Sequence, residues 1–372
     1  KALEKLKQTM DKYPNDPRPR IAFGKELLKQ HDYTKARSAF EKAHQLKPDA
    51  PELILAMTDL LIKEARVKEA QSYLQGQINQ RPWSSALHNG FGDIKLKIAQ
   101  TSGQEKFFMQ AKESYDQALM IDPSNHKARA QRARASLALK QPQEALKDLR
   151  WLKQQGYYGD LNFEFGRAQQ SLGELKEAQG YYQKVLDQDR EHLDALRSMG
   201  MVMESMKDKA KAKQYYEQAL AVNPRDADTR FAMGKLLLKQ KNAQEAVENL
   251  KAAAEIKQQD PKLHYWHGRA LEANGDQLDS SELRNAYESA ALLIKDGQDS
   301  NPEVCDIHYR VGRIHSQQNK ELSLALEDFT KASKCAPKRA DVWSNLASLY
   351  RKLGDQKAVM KHFKKALKHN PN

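Results

Sequence analysis

The sequence predicts an all-α protein built from a tandem array of helix pairs, and three observations support this prediction. First, Pro14, Pro48 and Pro82 are 34 residues apart, and Pro337 and Pro371 repeat the same interval. Second, each interval carries the same order of small and large apolar residues. Third, the helix-favouring residues Leu, Ala, Lys, Gln and Glu are abundant. A repeat of this length is one helical unit that buries its apolar face only by stacking on its neighbour.

The last interval shows the apolar skeleton most completely. Its apolar and closing residues are Trp343, Leu346, Ala347, Tyr350, Phe363, Ala366 and Pro371. This order resembles the tetratricopeptide repeat motif, in which the first helix carries a small residue among large ones and the second helix ends at proline. The small residue lets the two helices approach closely, and the large residue of the second helix fills the groove between them. The resemblance implies a right-handed superhelical α-solenoid of antiparallel helix pairs.

Ten repeats align in register between Lys1 and Asn372, after half a repeat that spans Ala2 to Pro14. The small residues of the first helices include Gly24, Gly92, Ala133, Gly166, Gly200, Gly234, Gly268, Gly312 and Ala347. The large residues of the second helices are Phe40, Leu74, Tyr115, Leu149, Tyr182, Tyr216, Leu250, Tyr287, Phe329 and Phe363. One such match would be weak, whereas ten in register identify the repeat.

Three departures from the repeat predict the domain organisation. The fourth repeat ends in a Gly-Tyr-Tyr-Gly stretch instead of proline, so we expect an N-terminal segment, 1–158, and a C-terminal segment, 159–372. Extra residues near 101–108 should lengthen both helices of the third repeat or add a loop. The polar stretch 295–304 is expected to be a linker. Because the array begins with half a hairpin and has no polar capping helix, we expect the natural protein to continue in at least one direction.

The resemblance also implies a binding groove. In this family the first helices form a concave wall, and the residues three before and one after the small residue point into it. The candidate partner-binding residues at these positions are Arg134, Phe163, Arg167, Phe231, Lys235, Tyr265, Arg269, Tyr309 and Arg313. Arginine makes bidentate hydrogen bonds with carboxylates, and aromatic rings supply contact area at low entropic cost, so we expect a protein or an extended peptide with acidic groups. The alternative is a solvated basic face with aromatic rings packed against neighbouring repeats.

No motif for catalysis or for cofactor binding occurs in the sequence. The chain has no glycine-rich phosphate loop, no HExxH and no nucleophile elbow, so we predict neither an enzyme nor a small-molecule substrate, cofactor or metal. His264 and His267 are three residues apart on a helix and could face one metal ion. Both occupy packing positions of the repeat and lack further ligands nearby, so the preferred interpretation is a structural role.

Cys305 and Cys335 lie on the two helices of the ninth repeat. A disulfide requires their Cα atoms to come within about 7 Å. Two cysteines are too few for a disulfide framework, and two unpaired thiols are the preferred interpretation.

The net charge of +13 is concentrated at one end of the sequence. Residues 338–372 contain nine basic and two acidic residues, a net charge of +7, which leaves +6 for the rest of the chain. Such a patch could bind nucleic acid or an anionic membrane. The aromatic residues among these charges belong to the repeat core, so the preferred interpretation is a solvated helix or a surface that meets an acidic segment.

These features favour a scaffold or adaptor that binds a peptide or protein and helps to assemble a complex. An RNA-binding array, and the recognition arm of an enzyme whose catalytic domain lies elsewhere, are the alternatives. The charge distribution argues against nucleic acid, and no apolar run approaches the roughly 20 residues of a membrane span. We predict a cytoplasmic protein, with a periplasmic or envelope-associated one as the alternative, by analogy with bacterial proteins that carry similar arrays. The oligomeric state stays open.

Overall fold

A computed structural model describes residues 2–157, 160–294 and 301–370. Within these ranges the chain forms 21 α-helices and one 3₁₀ helix, Asn319–Glu321, and it forms no strand. The α-helices are α1 Ala2–Lys12, α2 Pro17–Lys29, α3 Tyr33–Leu46, α4 Pro51–Lys63, α5 Val67–Gln80, α6 Ser85–Ser102, α7 Glu105–Ile121, α8 His126–Ala138, α9 Pro142–Gln154, α10 Asn162–Leu172, α11 Leu175–Gln188, α12 Leu193–Ser205, α13 Lys209–Val222, α14 Ala227–Lys239, α15 Ala243–Ile256, α16 Pro261–Asn274, α17 Ser281–Leu292, α18 Pro302–His315, α19 Leu322–Cys335, α20 Ala340–Lys352 and α21 Gln356–His369. The predicted all-α class, a solenoid of antiparallel helix pairs, is confirmed, since α2 to α21 form ten pairs after the half repeat α1.

The chain consists of two compact units, Lys1–Lys184 and Val185–Asn372, which divide inside α11. The boundary expected from the sequence falls at Tyr158 and Gly159, which lie outside the described residues. That boundary stays a prediction.

Turn chemistry sets the ends of the helices. Asp32 caps the N-terminus of α3, and its carboxylate accepts a hydrogen bond from the backbone N–H of Lys35 at 3.1 Å, which satisfies one of the free donors of the first turn. The turn inside most pairs contains one residue in the left-handed region, which is Gly173 in the fifth pair. The turn after the second helix carries the repeat's proline, as Pro48 does after α3. The periodic prolines therefore mark the junctions between pairs, as the sequence predicts.

Close contact between the small and large positions holds each pair together. Tyr287 on α17 is fully buried against Gly268 on α16, where a Cβ atom would lie 2.7 Å from the Cε1 and Cζ atoms of the ring. Gly166 and Tyr182 repeat this arrangement, with a Cβ position 2.6 Å from the ring. The predicted role of the small residue is confirmed.

The two irregular stretches of the sequence have different outcomes. The third pair is lengthened, since α6 has 18 residues and α7 has 17, against 11 to 14 in the other helices. Of the expected linker 295–304, the last residues are helical, because Asn301 caps α18 and the helix begins at Pro302. Residues 295–300 lie outside the described ranges.

The two cysteines form a disulfide, so the preferred prediction of unpaired thiols is wrong. Cys305 lies in the first turn of α18 and Cys335 is the last residue of α19, and their Cα atoms are 5.5 Å apart. Both helices have 14 residues, so an antiparallel pair brings the start of one next to the end of the other. The bond ties the two helices of the ninth pair at the edge away from their connecting turn.

Candidate functional site

The second unit brings six of the predicted groove residues onto adjacent first helices. The helices α14, α16 and α18 pack side by side, and each carries an aromatic residue followed one turn later by a basic residue. These pairs are Phe231 and Lys235 on α14, Tyr265 and Arg269 on α16, and Tyr309 and Arg313 on α18. Residues four apart lie on the same face of a helix, so the three pairs form a row across α14, α16 and α18, and these three helices are called the wall below.

An aromatic–lysine cluster, consisting of Phe231, Lys235, Lys262 and Trp266, occupies one part of this wall. The Nζ atom of Lys235 lies 4.5 Å from the centroid of the Trp266 ring and 5.3 Å from that of Phe231. Lys262 covers the Phe231 ring at 4.9 Å. Burial, and then the charge of Lys262, lowers the pKa of Lys235. No ion pair joins Lys235 to a carboxylate in the described part of the chain, and its closest partners are the ring faces. Glu303, which accepts a hydrogen bond from the indole N–H of Trp266 at 3.1 Å, also attracts its charge.

An arginine–aspartate network lies beside this cluster and is centred on Asp306. Its carboxylate accepts hydrogen bonds from the hydroxyl of Tyr265 at 2.8 Å, from Nε of Arg310 at 2.6 Å and from the guanidinium of Arg339 at 2.6 Å. Arg269 lies 3.8 Å from the same carboxylate and donates to the Tyr265 hydroxyl at 2.9 Å. Burial would raise the pKa of Asp306, but these donors hold it below its usual value. The carboxylate is therefore an ionised structural anchor of the wall.

The network determines how much of each predicted residue faces solvent. Tyr265 is 3% exposed and Tyr309 is 8% exposed, so these rings mainly build the wall. Arg269 is engaged by Asp306, whereas the guanidinium of Arg313 lies 6.0 Å from the centroid of the Tyr309 ring and forms no ion pair among the described residues. Within this row, Arg313 and Lys235 are the cations that form no ion pair with a carboxylate in the described ranges.

The first unit holds the other three predicted residues around a cavity of about 580 Å³. Arg134 donates to Glu164 at 2.6 Å, and Glu164 is nearly buried, so this base is engaged within the chain. Phe163 lines the cavity, and its ring centroid lies 5.8 Å from that of Tyr182. Arg167 lines the cavity without an ion pair to any residue that the structure describes.

A second groove in the first unit was missed by the sequence analysis. A cavity of about 570 Å³ is lined by apolar residues that include Leu55, Ile62 and Ile94, by Asp59 and Asp93, and by five lysines. These lysines are Lys25, Lys29, Lys63, Lys97 and Lys127. Lys29, Lys63 and Lys97 are 34 residues apart, five positions after the small residue of successive repeats. That interval was a usable signal, but only the positions three before and one after the small residue were considered.

The two histidines singled out in the sequence have structural contacts. The Nε2 atom of His264 lies 2.9 Å from the carbonyl of Gln258, six residues earlier. Arg230, which is 34 residues before His264, makes the same kind of contact with the carbonyl of Pro224. His267 is buried, and burial lowers its pKa. No group of three or more potential metal ligands occurs in the ranges covered by the structure.

Family comparisons agree with the repeat architecture. Models of the tetratricopeptide repeat match residues 27–89, 159–192, 205–274 and 340–372, which together make up slightly more than half of the chain. No curated protein matches the chain. No helix in the described ranges is long and apolar enough to cross a membrane.

Solved structures share the fold at low sequence identity. Human IFIT1, solved as a dimer with m7Gppp-AAAA, is 15% identical, with a TM-score of 0.55, and the match covers 100% of this chain and 95% of that chain. A tetratricopeptide repeat protein from Parabacteroides merdae is 12% identical, with a TM-score of 0.54, and the match covers 68% of this chain and 98% of that chain. These likenesses concern the architecture of stacked helix pairs.

Proposed function

Because the chain belongs to the tetratricopeptide repeat family, whose fold is typical of non-catalytic protein-interaction scaffolds, we propose that it is a scaffold or adaptor and not an enzyme. Its partner is an extended acidic peptide or protein segment held against the first helices of the second unit. The observation that carries the proposal is that Lys235 and Arg313 lie beside aromatic rings and form no ion pair in the described structure. Such cations gain most from a carboxylate supplied by a ligand.

The surroundings of Lys235 favour an anionic group over a neutral one. Its ammonium group is partly desolvated, which lowers its pKa. Folding has therefore already desolvated this charge, and a carboxylate supplied by a ligand would stabilise it. The half-buried rings of Phe231 and Trp266 flank the same position and can pack against an apolar side chain of the ligand. We therefore expect a ligand that alternates acidic and apolar residues.

Selection from a random peptide-display library on the wild-type chain tests this proposal. The selected peptides should be enriched in Asp and Glu together with an aromatic or aliphatic residue. A hydrogen bond to a charged group contributes about 1.5 to 3 kcal/mol. The variants Lys235→Glu and Arg313→Glu should each weaken binding of the selected peptide at least about tenfold.

The matched control is Lys334→Glu, an exposed lysine on α19 that makes no ion pair within the described residues. It introduces the same change of charge in the same unit and should leave affinity unchanged. Selection of neutral or basic peptides, or equal affinity of all three variants, would contradict binding in this groove.

RNA is the second candidate, and the aromatic–lysine cluster is the observation that favours it. A partly exposed Trp266 lies beside Lys235, and Lys262 covers the Phe231 ring of the same cluster, so a nucleobase can stack while the ammonium groups pair with phosphates. Human IFIT1 was solved with m7Gppp-AAAA, and at 15% identity its likeness to this chain concerns the fold alone. A labelled single-stranded oligonucleotide should then bind with an affinity that falls steeply with salt and is reduced in Trp266→Leu. Binding that is weak at low salt and indifferent to Trp266→Leu would exclude this function.

The disulfide favours an oxidising compartment over the predicted cytoplasm. Bonds such as Cys305–Cys335 persist outside the reducing cytosol, so the periplasmic or envelope-associated alternative gains support. Alkylation of the protein in intact cells before lysis tests this. A fully alkylated pair of thiols would restore the cytoplasmic assignment.

A further inference from the structure

The lengthened third pair forms a step on the first unit. The helices α4 and α6 begin at equivalent positions of the repeat, seven residues before Thr58 and Gly92. The helix α4 ends at Lys63, whereas α6 passes the equivalent residue, Lys97, and continues for five residues to Ser102. At 1.5 Å per residue, this extension projects about 7.5 Å beyond the end of α4. The extra residues of the third repeat, which the groove of the second unit does not use, therefore stand beside the turn between α4 and α5.

A narrow hollow of about 270 Å³ lies between this extension and the α4–α5 turn. Its lining is mainly aliphatic and includes Ile62, Val67, Ile94 and Ile98. Ile94 is buried in the core between the second and third pairs, and Ile62 and Ile98 pack against that core as half-buried residues. The hollow is therefore an opening into the apolar core, and a bulky apolar side chain that entered it would be removed from water.

Two lysines border the hollow. Lys97 lines both the hollow and the adjoining cavity of about 570 Å³, and Lys63 lines that cavity at the equivalent position on α4. Neither lysine forms an ion pair with a carboxylate among the residues that the structure describes. Both are exposed, so a ligand that enters the hollow can place an anionic group next to them.

Carboxylates of the chain leave this charge largely uncompensated. Asp59 and Asp93 line the wider cavity but not the hollow. Asp93 is already engaged by Lys127 at 2.8 Å and by the hydroxyl of Tyr115 at 3.0 Å. The wider cavity contains five lysines and two aspartates, so its net charge is positive and favours an anionic ligand.

We propose that the hollow and its two lysines bind an acidic segment of a partner protein, which inserts one Leu, Phe or Trp side chain beside α6 and presents Asp or Glu to Lys63 and Lys97. Sites for complete small-molecule ligands occupy about 300 to 1,000 Å³, so the hollow of about 270 Å³ suits a single side chain better than a whole ligand. The rest of the segment lies along the open cavity next to it. This site is built entirely from residues of the first unit.

Subtractive selection from a random peptide-display library identifies ligands of the hollow. The library is first depleted on Lys235→Glu/Arg313→Glu/Thr101→Phe and is then selected on Lys235→Glu/Arg313→Glu, which removes ligands of the groove in the second unit. Thr101 is exposed and lines the hollow, so a phenylalanine there fills it without a change of charge. We expect peptides with one Leu, Phe or Trp flanked by Asp or Glu. Enrichment of neutral or basic peptides, or no enrichment, would overturn the proposal.

Charge variants of the wild-type chain test the role of the two lysines. Lys63→Glu and Lys97→Glu should each weaken binding of the selected peptide at least about tenfold, because each places a carboxylate beside those of the ligand. The matched control Lys147→Glu reverses an exposed lysine on α9 that makes no ion pair within the described ranges, and it should leave affinity unchanged. Equal affinity of all three variants would contradict recognition of an acidic segment here.

Two further measurements show whether the peptide occupies the hollow itself. Gln100→Phe adds a ring one residue earlier on the same extension, where the side chain lines a different cavity, and it should leave affinity unchanged. In ¹³C-methyl spectra of isoleucine, the peptide should shift the Ile98 signal, which is assigned from its loss in Ile98→Val. Circular dichroism checks that the variants are folded. An unshifted Ile98 signal, or loss of binding in Gln100→Phe, would overturn the proposal.

A small amphiphile as the occupant gives a different result. Decanoate carries one carboxylate and one apolar chain, so tighter binding of decanoate than of the selected peptide, with a shift of the Ile98 signal, would identify a fatty acid instead of a protein segment. Lys235→Glu should leave binding of the selected peptide unchanged. The outcome at the hollow is therefore distinguishable from the outcome at the groove of the second unit.

Discussion

The contact between Gly92 and Tyr115 in the first unit gives a quantitative test of how the helix pairs pack. In Gly92→Ala the new Cβ atom would lie 2.5 Å from Cε1 of the ring and 2.8 Å from Cδ1 and Cζ. The ring is fully buried, and its hydroxyl donates to Asp93 at 3.0 Å, so it cannot retreat into solvent. One of the two helices must therefore shift.

The size of the effect follows from two opposing contributions. Overpacking a buried site costs about 1 to 3 kcal/mol, and replacing glycine by alanine inside a helix gains about 1 kcal/mol. Gly76 on α5 is the matched control, because a Cβ atom there meets nothing within 4 Å. Gly76→Ala should therefore stabilise its helix by about 1 kcal/mol, whereas the difference between the two variants isolates the clash at about 1 to 3 kcal/mol.

Hydrogen exchange measured by mass spectrometry suits this test, because each repeat contacts only its neighbours and opens locally. Amides of α6 and α7 should exchange faster in Gly92→Ala, and amides of α5 should exchange more slowly in Gly76→Ala. The double variant Gly92→Ala/Tyr115→Leu copies the pairing of Ala133 with Leu149 in the fourth repeat and should cost less than the sum of the single changes. Unchanged exchange in α6 and α7 of Gly92→Ala would refute the need for glycine at this crossing.

Two further predictions concern the second unit. Replacing Cys305 and Cys335 together by serine should lower the free energy of unfolding by about 3 to 4 kcal/mol, because the disulfide spans 30 residues; equal urea midpoints with and without reductant would contradict this. Hydrogen bonds from His315 to Asp328 at 2.8 Å and to Glu288 at 3.3 Å raise the pKa of His315 above 6.5. Its contribution to stability is therefore complete below pH 6.5 and is lost as the pH rises through the raised pKa, so His315→Gln should flatten the fall in unfolding midpoint above pH 6.5. An unchanged slope in that variant would show that other groups cause the dependence.

The fold was predictable because its determinants are local and repeated. Gly268 and Tyr287 are 19 residues apart, and their contact needs only two helices and one turn. The lengthening of α6 and α7 followed from the extra residues near 101–108 for the same reason. The disulfide was assigned wrongly because the distance between Cys305 and Cys335 depends on the equal lengths of α18 and α19, which the sequence pattern leaves uncertain by a few residues.

The candidate site was only partly accessible to sequence reasoning. Repeat spacing placed Lys235, Arg269 and Arg313 on neighbouring first helices, which the structure of the second unit shows. Repeat spacing could not indicate which basic side chains already pair with an acidic residue. Asp306 is 37 residues from Arg269, and the distance between their side chains depends on the twist between repeats. Binding in this row of residues stays a prediction.

Whether a basic side chain is already paired with a carboxylate of the chain should matter more for ligand recognition than the net charge does. Arg310 and Arg339 are anchored by Asp306, so changing either would disturb the wall before it affected a ligand. Lys235 and Arg313 lie near ring faces and form no ion pair in the described structure, so reversing their charge should leave the hydrogen bonds around Asp306 intact. Selectivity for an acidic partner then depends on the distance between these two cations and on the rings beside them. We therefore expect a ligand whose carboxylates match that spacing to bind here, even though most of the chain's excess positive charge lies elsewhere.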